Sequence, residues 1–393
     1  MQSKMKAPST VSGSQGIAMH SRNKEHRPTL VTAGFVALDI VFGLEHPEPR
    51  IYAGGTCGNV VAALAFLGWD ASPLARLGDD AAGRVIRSDL ARWGVNTKYL
   101  DLDPVAPSPI VLEKIERGKN GLPKHRFLWN CPDCGAYFPP YRAILRSQLS
   151  VIQESIDKPD VFFTDRVSSA SVELARHYHA KGSIIYFEPS GTGDPKLFRE
   201  MLKHTTVLKY SSQRARSFSD LLRSHKAQLE IETLGEDGLR FRLRRSSSAW
   251  HSLPAHEVAI KDTSGSGDWT TVGLLSSLFR DGKSTIATAS KVEITRALEY
   301  GQAIAALNCQ FEGARGAMYQ LSRAMFLKGV GIIESKVASS SKELKISLSR
   351  DISTSVVCPR CSPKKHKVVR QDAKSSETHP ATRLPTTPHV LRC

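Results

Sequence analysis

Between Leu30 and Thr233, short apolar runs of strand character alternate with longer stretches that read as helices, and this alternation limits the possible fold more than any other feature. Leu30–Phe35 opens as an apolar strand, and a Gly54-Gly55 turn leads into a helix over Asn59–Leu67. Leu74–Leu77 returns as strand before a helix over Ala82–Trp93, which Gly94-Val95-Asn96 ends. Further strands are expected at Val161–Thr164, Ile184–Phe187, Thr206–Lys209 and Glu230–Thr233, with helices at Ser169–Lys181 and Ser212–Ser224. The expected class is therefore α/β, a mainly parallel sheet flanked by helices on both faces. Ligands in such sheets sit beyond the C-terminal ends of the strands.

With 393 residues, 40% hydrophobic and 23% charged, the chain has room for one large α/β domain or two ordinary ones. Its formal charge of +16 would suggest a nucleic-acid partner if it were spread over the fold. It is not: residues 1–28 carry net +4 and residues 321–393 net +9, which leaves about +3 for the residues between. The reading is a disordered basic leader over 1–28, a folded domain over 29–320 and a basic C-terminal extension over 321–393. The leader lacks the apolar segment of a secretory signal, and no run approaches the roughly 18 apolar residues that cross a bilayer, so a cytoplasmic protein without membrane contact is expected. The extension shows no aromatic interleaving for base stacking, which disfavours nucleic acid as its partner.

Lys261-Asp262-Thr263-Ser264-Gly265-Ser266-Gly267-Asp268-Trp269 precedes an apolar run from Val272 to Phe279. Two glycines flank a small residue just before an acid, where a loop becomes a helix, so backbone N–H groups can converge on an anion beside a potential base. A hydroxyl is a poor nucleophile near neutral pH, and a carboxylate placed beside it can take its proton during attack on a phosphate. As a helix cap alone, Asp268 would need no such role.

A second block accompanies this loop. Gly54-Gly55-Thr56-Cys57-Gly58-Asn59-Val60 runs through Ala62–Gly68 to Leu77-Gly78-Asp79-Asp80-Ala81-Ala82-Gly83. In this order the two blocks resemble the ribokinase-like carbohydrate kinases, or PfkB family, over roughly residues 30–320, with Ser266 replacing the usual alanine of D-T-x-G-A-G-D. The resemblance implies a ribokinase-like fold with a small lid and an ATP-dependent phosphotransferase acting on a hydroxyl of a sugar or sugar derivative. A nucleoside is the alternative acceptor, and a catalytically weak kinase fold serving as a binding module is the contrasting class. Asp268 would be the base, and Gly265, Ser266 and Gly267 the anion hole. Asp39, Gly54, Gly55 and Asn59 would hold the acceptor, with Asp165 and Arg166 either joining them or forming a surface ion pair.

On the nucleotide side, Thr233-Leu234-Gly235-Glu236-Asp237-Gly238 resembles the family's T-L-G-x-x-G loop, so Thr233, Gly235 and Gly238, with Thr263, are expected near ATP. Gln302 falls where relatives place a polar residue near the base; a solvent-facing glutamine is the alternative. In Lys209-Tyr210-Ser211-Ser212-Gln213-Arg214, Ser211 and Arg214 replace the Asn and Glu of the family's N-x-x-E, although Lys209 and Arg214 retain positive charge for phosphates. Arginine contacts phosphate directly but cannot organise Mg2+ as a carboxylate does. The homodimer state stays open.

Cys131-Pro132-Asp133-Cys134 and Cys358-Pro359-Arg360-Cys361 are two C-x2-C pairs. Each resembles a zinc knuckle, and together they would give one structural zinc four thiolates; unpaired thiols or a redox pair are the alternatives. The first pair lies in an insertion, about Lys119–Tyr141, on the side where relatives build a lid. His125, nearby, reads as a surface or packed residue.

Overall fold

The structure, a computed structural model, describes residues 27–335 except 46–47, 119–122, 224, 245–248 and 281–284, together with the backbone of 390–392. Its strands, in chain order, are β1 (Thr29–Ala33), β2 (Ala37–Phe42), β3 (Arg50–Gly54), β4 (Asp70–Gly78), β5 (Leu100–Asp103), β6 (Ile110–Arg117) and β7 (Pro123–Leu128). They continue as β8 (Val161–Thr164), β9 (Ile184–Phe187), β10 (Val207–Ser211), β11 (Leu229–Thr233), β12 (Leu239–Leu243) and β13 (His251–Leu253), and end with β14 (Glu257–Ala259) and β15 (Val390–Arg392), which pair antiparallel with each other. Nine form one sheet in the order β13-β12-β11-β10-β9-β8-β1-β4-β5. It is parallel from β11 to β5 and antiparallel at β12 and β13.

The central strands are apolar on both faces because both faces are covered. Successive residues point to opposite sides: Leu30, Phe163, Ile184 and Tyr186 enter one core, and Val31, Phe162, Ile185 and Phe187 the other. The first core includes the helices Thr56–Phe66, Ser266–Arg280 and Lys291–Asn308; the second includes Ser169–Ala180 and Pro195–His204. The helices Ser266–Arg280 and Lys291–Asn308 touch at Gly273 and Gly301, where an added Cβ on Gly273 would collide with the Gly301 backbone. That close approach fixes the first helix, and with it the glycine-rich loop at its N-terminus.

Strands β3, β2, β6 and β7 form a separate four-stranded lid sheet, with β2 and β6 parallel and the two outer pairs antiparallel. The chain leaves the C-terminal end of β1 directly into this lid. From β1 the connections run towards β4 and β5, from β8 towards β9, β10 and β11, so the topological switch lies between β1 and β8.

Asp39 follows closely on the first strand and lies within the lid strand β2. Two sequence expectations change. The helix expected over 212–224 is two short turns, Ser212–Ala215 and Ser219–Leu222, because Phe218 between them is buried at 2% exposure and turns the chain inward. The folded unit also extends past residue 320: the helix Arg323–Ser335 buries Phe326, Val330 and Ile333 in the first core. The rest of the C-terminal extension, apart from the backbone of 390–392, and nearly all of the leader lie outside the described residues. No helix among the described residues is long and apolar enough to cross a membrane.

Candidate active site

A cleft of about 1540 Å³ opens at the switch point, between the sheet and the lid. It is lined by Asp39, Gly55 and Asn59, by Glu113, His125, Phe127 and Trp129 of the lid region, by Arg166, by Arg214, by Thr233 and Gly235, and by Thr263 to Asp268. Residues separated by more than 200 positions in the chain thus meet along one wall.

Gly265 has φ +72, a left-handed conformation that glycine tolerates and that starts the helix Ser266–Arg280. The loop before it is shaped by Asp262, which is 2% exposed: its Oδ1 accepts from the Ser264 amide at 2.9 Å, and its Oδ2 from Ser264 Oγ at 2.6 Å and from the Gly313 amide at 2.8 Å. The N–H groups of Gly265, Gly267 and Asp268 meet no protein acceptor among the described residues, while that of Ser266 is directed to the Thr263 carbonyl at 3.2 Å. The amides of Gly265, Gly267 and Asp268 are thus left open toward the cleft, while the Ser266 amide, expected from the sequence to join them, is engaged in the turn. First-turn amides without partners carry the positive end of the helix dipole.

Asp268 projects from the first turn of this helix. Its Oδ2 accepts from Asn59 Nδ2 at 2.7 Å, and the Asn59 Oδ1 accepts from Arg315 Nε at 3.2 Å. Arg315 is buried and also contacts Asp89 at 3.2 Å, so Asn59 is fixed from behind and in turn orients Asp268. Burial, then the nearby Glu188 carboxylate, push the Asp268 pKa up to about 7, opposed by Asn59, Lys209 and Arg214. A base poised there is protonated or free with comparable ease at neutral pH. Glu188 itself forms a buried ion pair with Lys209 and accepts from Thr271 Oγ1 at 2.9 Å. An added Cβ on Gly267 would lie 3.5 Å from Lys209 Nζ, so the Lys209 charge stands just behind the anion hole rather than on the cleft wall.

Asp39 sits in the lid floor, opposite Tyr52 of β3 and Val111 of β6. Burial raises its pKa to about 7, against the opposing charge of Arg315 and the Gly55 amide. Gly54 lies against it, since an added Cβ there would overlap the Asp39 carboxylate. Gly55, at φ +75, caps the helix Thr56–Phe66 and passes within 2.6 Å of the Phe35 carbonyl where a Cβ would stand. Asp39, Gly54, Gly55 and Asn59 therefore come together in space.

Other sequence candidates divide. Arg166 lines the cleft, stacked over Phe35 with its guanidinium 4.8 Å from the ring centre. Asp165 is 1% exposed and faces away: Oδ1 accepts from the Phe35 amide at 2.8 Å and Oδ2 from Arg166 at 2.7 Å, so it positions those two residues instead of meeting a ligand itself. Thr233 and Gly235 line the cleft, whereas Gly238, at φ +91, turns the chain against the Leu253 backbone. Gln302 is buried and donates to the Pro254 carbonyl at 2.9 Å, off the cleft wall. Thr263 contacts His125 of the lid at 3.3 Å. The Cys131-to-Cys134 segment forms a tight turn, with the Gly135 amide bonded to the Cys131 carbonyl at 2.8 Å and the Cys131 amide to the Ala136 carbonyl at 2.8 Å. Cys358 and Cys361 lie outside the described residues.

Residues 43–320 match the profile described as pfkB family carbohydrate kinase. The ATP-dependent ribose-1-phosphate kinase of Halopiger xanaduensis is 26% identical over 323 residues, covering 76% of this chain and 97% of that protein. The aminoimidazole riboside kinase of Salmonella typhimurium is 27% identical over 250 residues, covering 58% of this chain and 74% of that one. Among solved structures, the Xylella fastidiosa fructokinase with bound ATP superimposes with a TM-score of 0.58 at 20% identity, covering 77% of this chain and 98% of that chain. The Arabidopsis thaliana ribokinase complexed with ribose and ATP gives 0.57 at 18% identity, covering 78% and 99%.

Proposed function

Because the chain belongs to the pfkB carbohydrate kinase family, we propose that this cleft transfers the γ-phosphate of ATP to a hydroxyl of a sugar or sugar derivative. The observation that carries the reading is the Asp268 carboxylate, held by Asn59 at 2.7 Å beside the amides of Gly265, Gly267 and its own backbone, which meet no protein acceptor among the described residues; burial, which raises its pKa to about 7, fits the same role. The acceptor's hydroxyls bind Asp39 and Asn59, with one turned towards Asp268. As that oxygen attacks the γ-phosphorus, its proton passes to Asp268, the bond from phosphorus to the ADP oxygen breaks, and charge on the transferred group gathers over the amides. Lys209 behind Gly267, and Arg214 on the cleft wall, add positive potential to the same spot.

Magnesium is expected with ATP, but the protein offers it little. The Glu188 oxygens are engaged by Lys209 and Thr271, and Ser211–Arg214 presents hydroxyls and a guanidinium where a carboxylate would be needed. Bound with ATP, the ion would supply positive charge to the phosphates, with few protein carboxylates to hold it. The Cys131–Cys134 turn supports one half of a structural zinc site, with Cys358 and Cys361 as the other. A cytoplasmic setting fits the use of ATP.

A nucleoside is the second acceptor class, favoured by one observation: Phe35, Phe127 and Trp129 line the cleft, and the last two are 42% and 52% exposed, leaving ring faces open to a planar base. The test is ADP release across a panel of sugars, sugar phosphates and nucleosides. Release that depends on one acceptor supports the proposal, and ATP binding without turnover across the panel would favour the binding module instead. With that acceptor in hand, Asp39→Ala should raise its KM by about 10- to 100-fold, the value of a lost charged hydrogen bond, while ATP affinity stays within about twofold. Calorimetry with each ligand checks the split; a selective loss of ATP affinity would remove Asp39 from the acceptor site.

A further inference from the structure

Strands β6 and β7 pair in a register that sets Glu113 opposite Phe127 and Ile115 opposite His125. Directly paired residues share a face and neighbours two apart along a strand do too, so Glu113 and His125 are diagonal partners on one face of the lid. Both line the cleft, and that face meets the loop leading into the anion hole. His125 Nδ1 lies 3.4 Å from Asp262 Oδ1. One ligand atom from each of Glu113, His125 and Asp262 falls within 4.8 Å of the other two.

Two observations mark this cluster as more than a polar contact. Glu113 is 2% exposed, yet its Oε1 has no hydrogen-bond partner among the described residues, a costly arrangement for a buried carboxyl. The Asp262–His125 separation is also long for a charge-assisted hydrogen bond, which spans roughly 2.7–2.9 Å. It matches the roughly 3.4 Å between two ligands that each stand about 2.1 Å from one tetrahedral ion.

We propose that Glu113, His125 and Asp262 form a site for a divalent transition-metal ion that clasps the lid to the catalytic loop. The donors are one imidazole nitrogen and two carboxylates, a set suited to Zn2+ or Co2+ and poor for Mg2+, which prefers an all-oxygen shell. The site differs from the thiolates of the cysteine turns and from any ion carried by ATP. The ion satisfies the orphaned Glu113 oxygen and stands between the Glu113 and Asp262 carboxylates. Its role as a lid clasp rests on the kinase reading; its existence as a metal site does not.

The test uses the full chain carrying Cys131→Ser, Cys134→Ser, Cys358→Ser and Cys361→Ser, stripped by chelator and titrated with Zn2+ by calorimetry and with Co2+ by visible absorption, without ATP or acceptor. The expected result is about one ion per chain, with a Co2+ spectrum lacking a thiolate charge-transfer band. Adding Glu113→Gln or His125→Ala should weaken affinity at least about 100-fold while the melting temperature without metal is retained; Asp262 is left intact because it shapes the loop. Hydrogen exchange supplies a second readout: metal should slow exchange of the β6 and β7 amides in the parent and not in either variant. Affinity unchanged in both variants, or no binding by the parent, would overturn the site. Loss of the site with phosphoryl transfer intact rejects the clasp and leaves the kinase; tight binding by a chain that phosphorylates nothing keeps the metal site and rejects the kinase reading, and the clasp with it.

Discussion

Asp268→Asn should lower kcat by about 10²- to 10⁴-fold, the usual worth of a positioned general base, with ATP and acceptor affinities changed by no more than a few-fold. The amide keeps the shape of the carboxylate and can still accept from Asn59 Nδ2 through its oxygen. Stability should move the other way. The Asp268 pKa is raised from 3.8 to about 7, so between those values the folded chain holds a proton that the unfolded chain has released. Its stability is full below about 4, falls as pH rises through about 7, and stays reduced above. Asparagine has no proton to lose, so above pH of about 8 the variant should be more stable by on the order of a few kcal/mol, and below about 4 the two should unfold alike. Denaturant titrations at two pH values, beside steady-state kinetics, separate lost base from lost fold. Near-parental turnover would remove Asp268 from the mechanism.

Gly265→Ala should cost about 10²- to 10³-fold in kcat, the effect of removing donors aimed at developing charge. At φ +72 any side chain is strained, and here the new Cβ would strike the Ala314 carbonyl oxygen and lie 2.8 Å from the Ala314 Cα. Both obstacles are backbone, so the loop must move, and the amides of Gly265, Gly267 and Asp268 lose their common focus. Gly94→Ala, off the cleft wall, is the matched comparison: φ is +82 there, but nothing stands within 4 Å of the added Cβ. It should share the strain cost of about 1–3 kcal/mol without the catalytic loss. Equal turnover in the two variants would show that the hole depends on something other than this backbone.

The parallel sheet was legible because β8 and β9, buried on both faces, leave uninterrupted apolar runs such as Val161–Phe163 and Ile184–Phe187. The glycine-rich loop was legible for a similar local reason: it needs particular residue types in a particular order. The lid was harder. Asp39 interrupts the apolar run of β2, and β7 alternates half-exposed and exposed residues, so neither strand stands out from a loop. Glu188 and Arg315 were missed altogether. Their partners, Lys209 and Asn59, lie 21 and 256 residues away, and only the folded chain turns those charges inward. The available hints were an acid directly after the apolar strand Ile184–Phe187 and an arginine inside Gly313-Ala314-Arg315-Gly316. Gln302 went the other way: its position on the late helix suggested a nucleotide contact, but a carbonyl at Pro254 takes its amide.

The most direct test of the account is the pH dependence of kcat at saturating acceptor and ATP. Saturation matters because Asp39, also raised to about 7, is then covered by the acceptor, so the profile reports the group that works within the complex. The account predicts that kcat rises about tenfold per pH unit below about 7 and levels above it, and that the residual activity of Asp268→Asn lacks this limb. A parental kcat that is flat between about pH 5 and 8, or the same limb persisting in Asp268→Asn, would contradict Asp268 as the base.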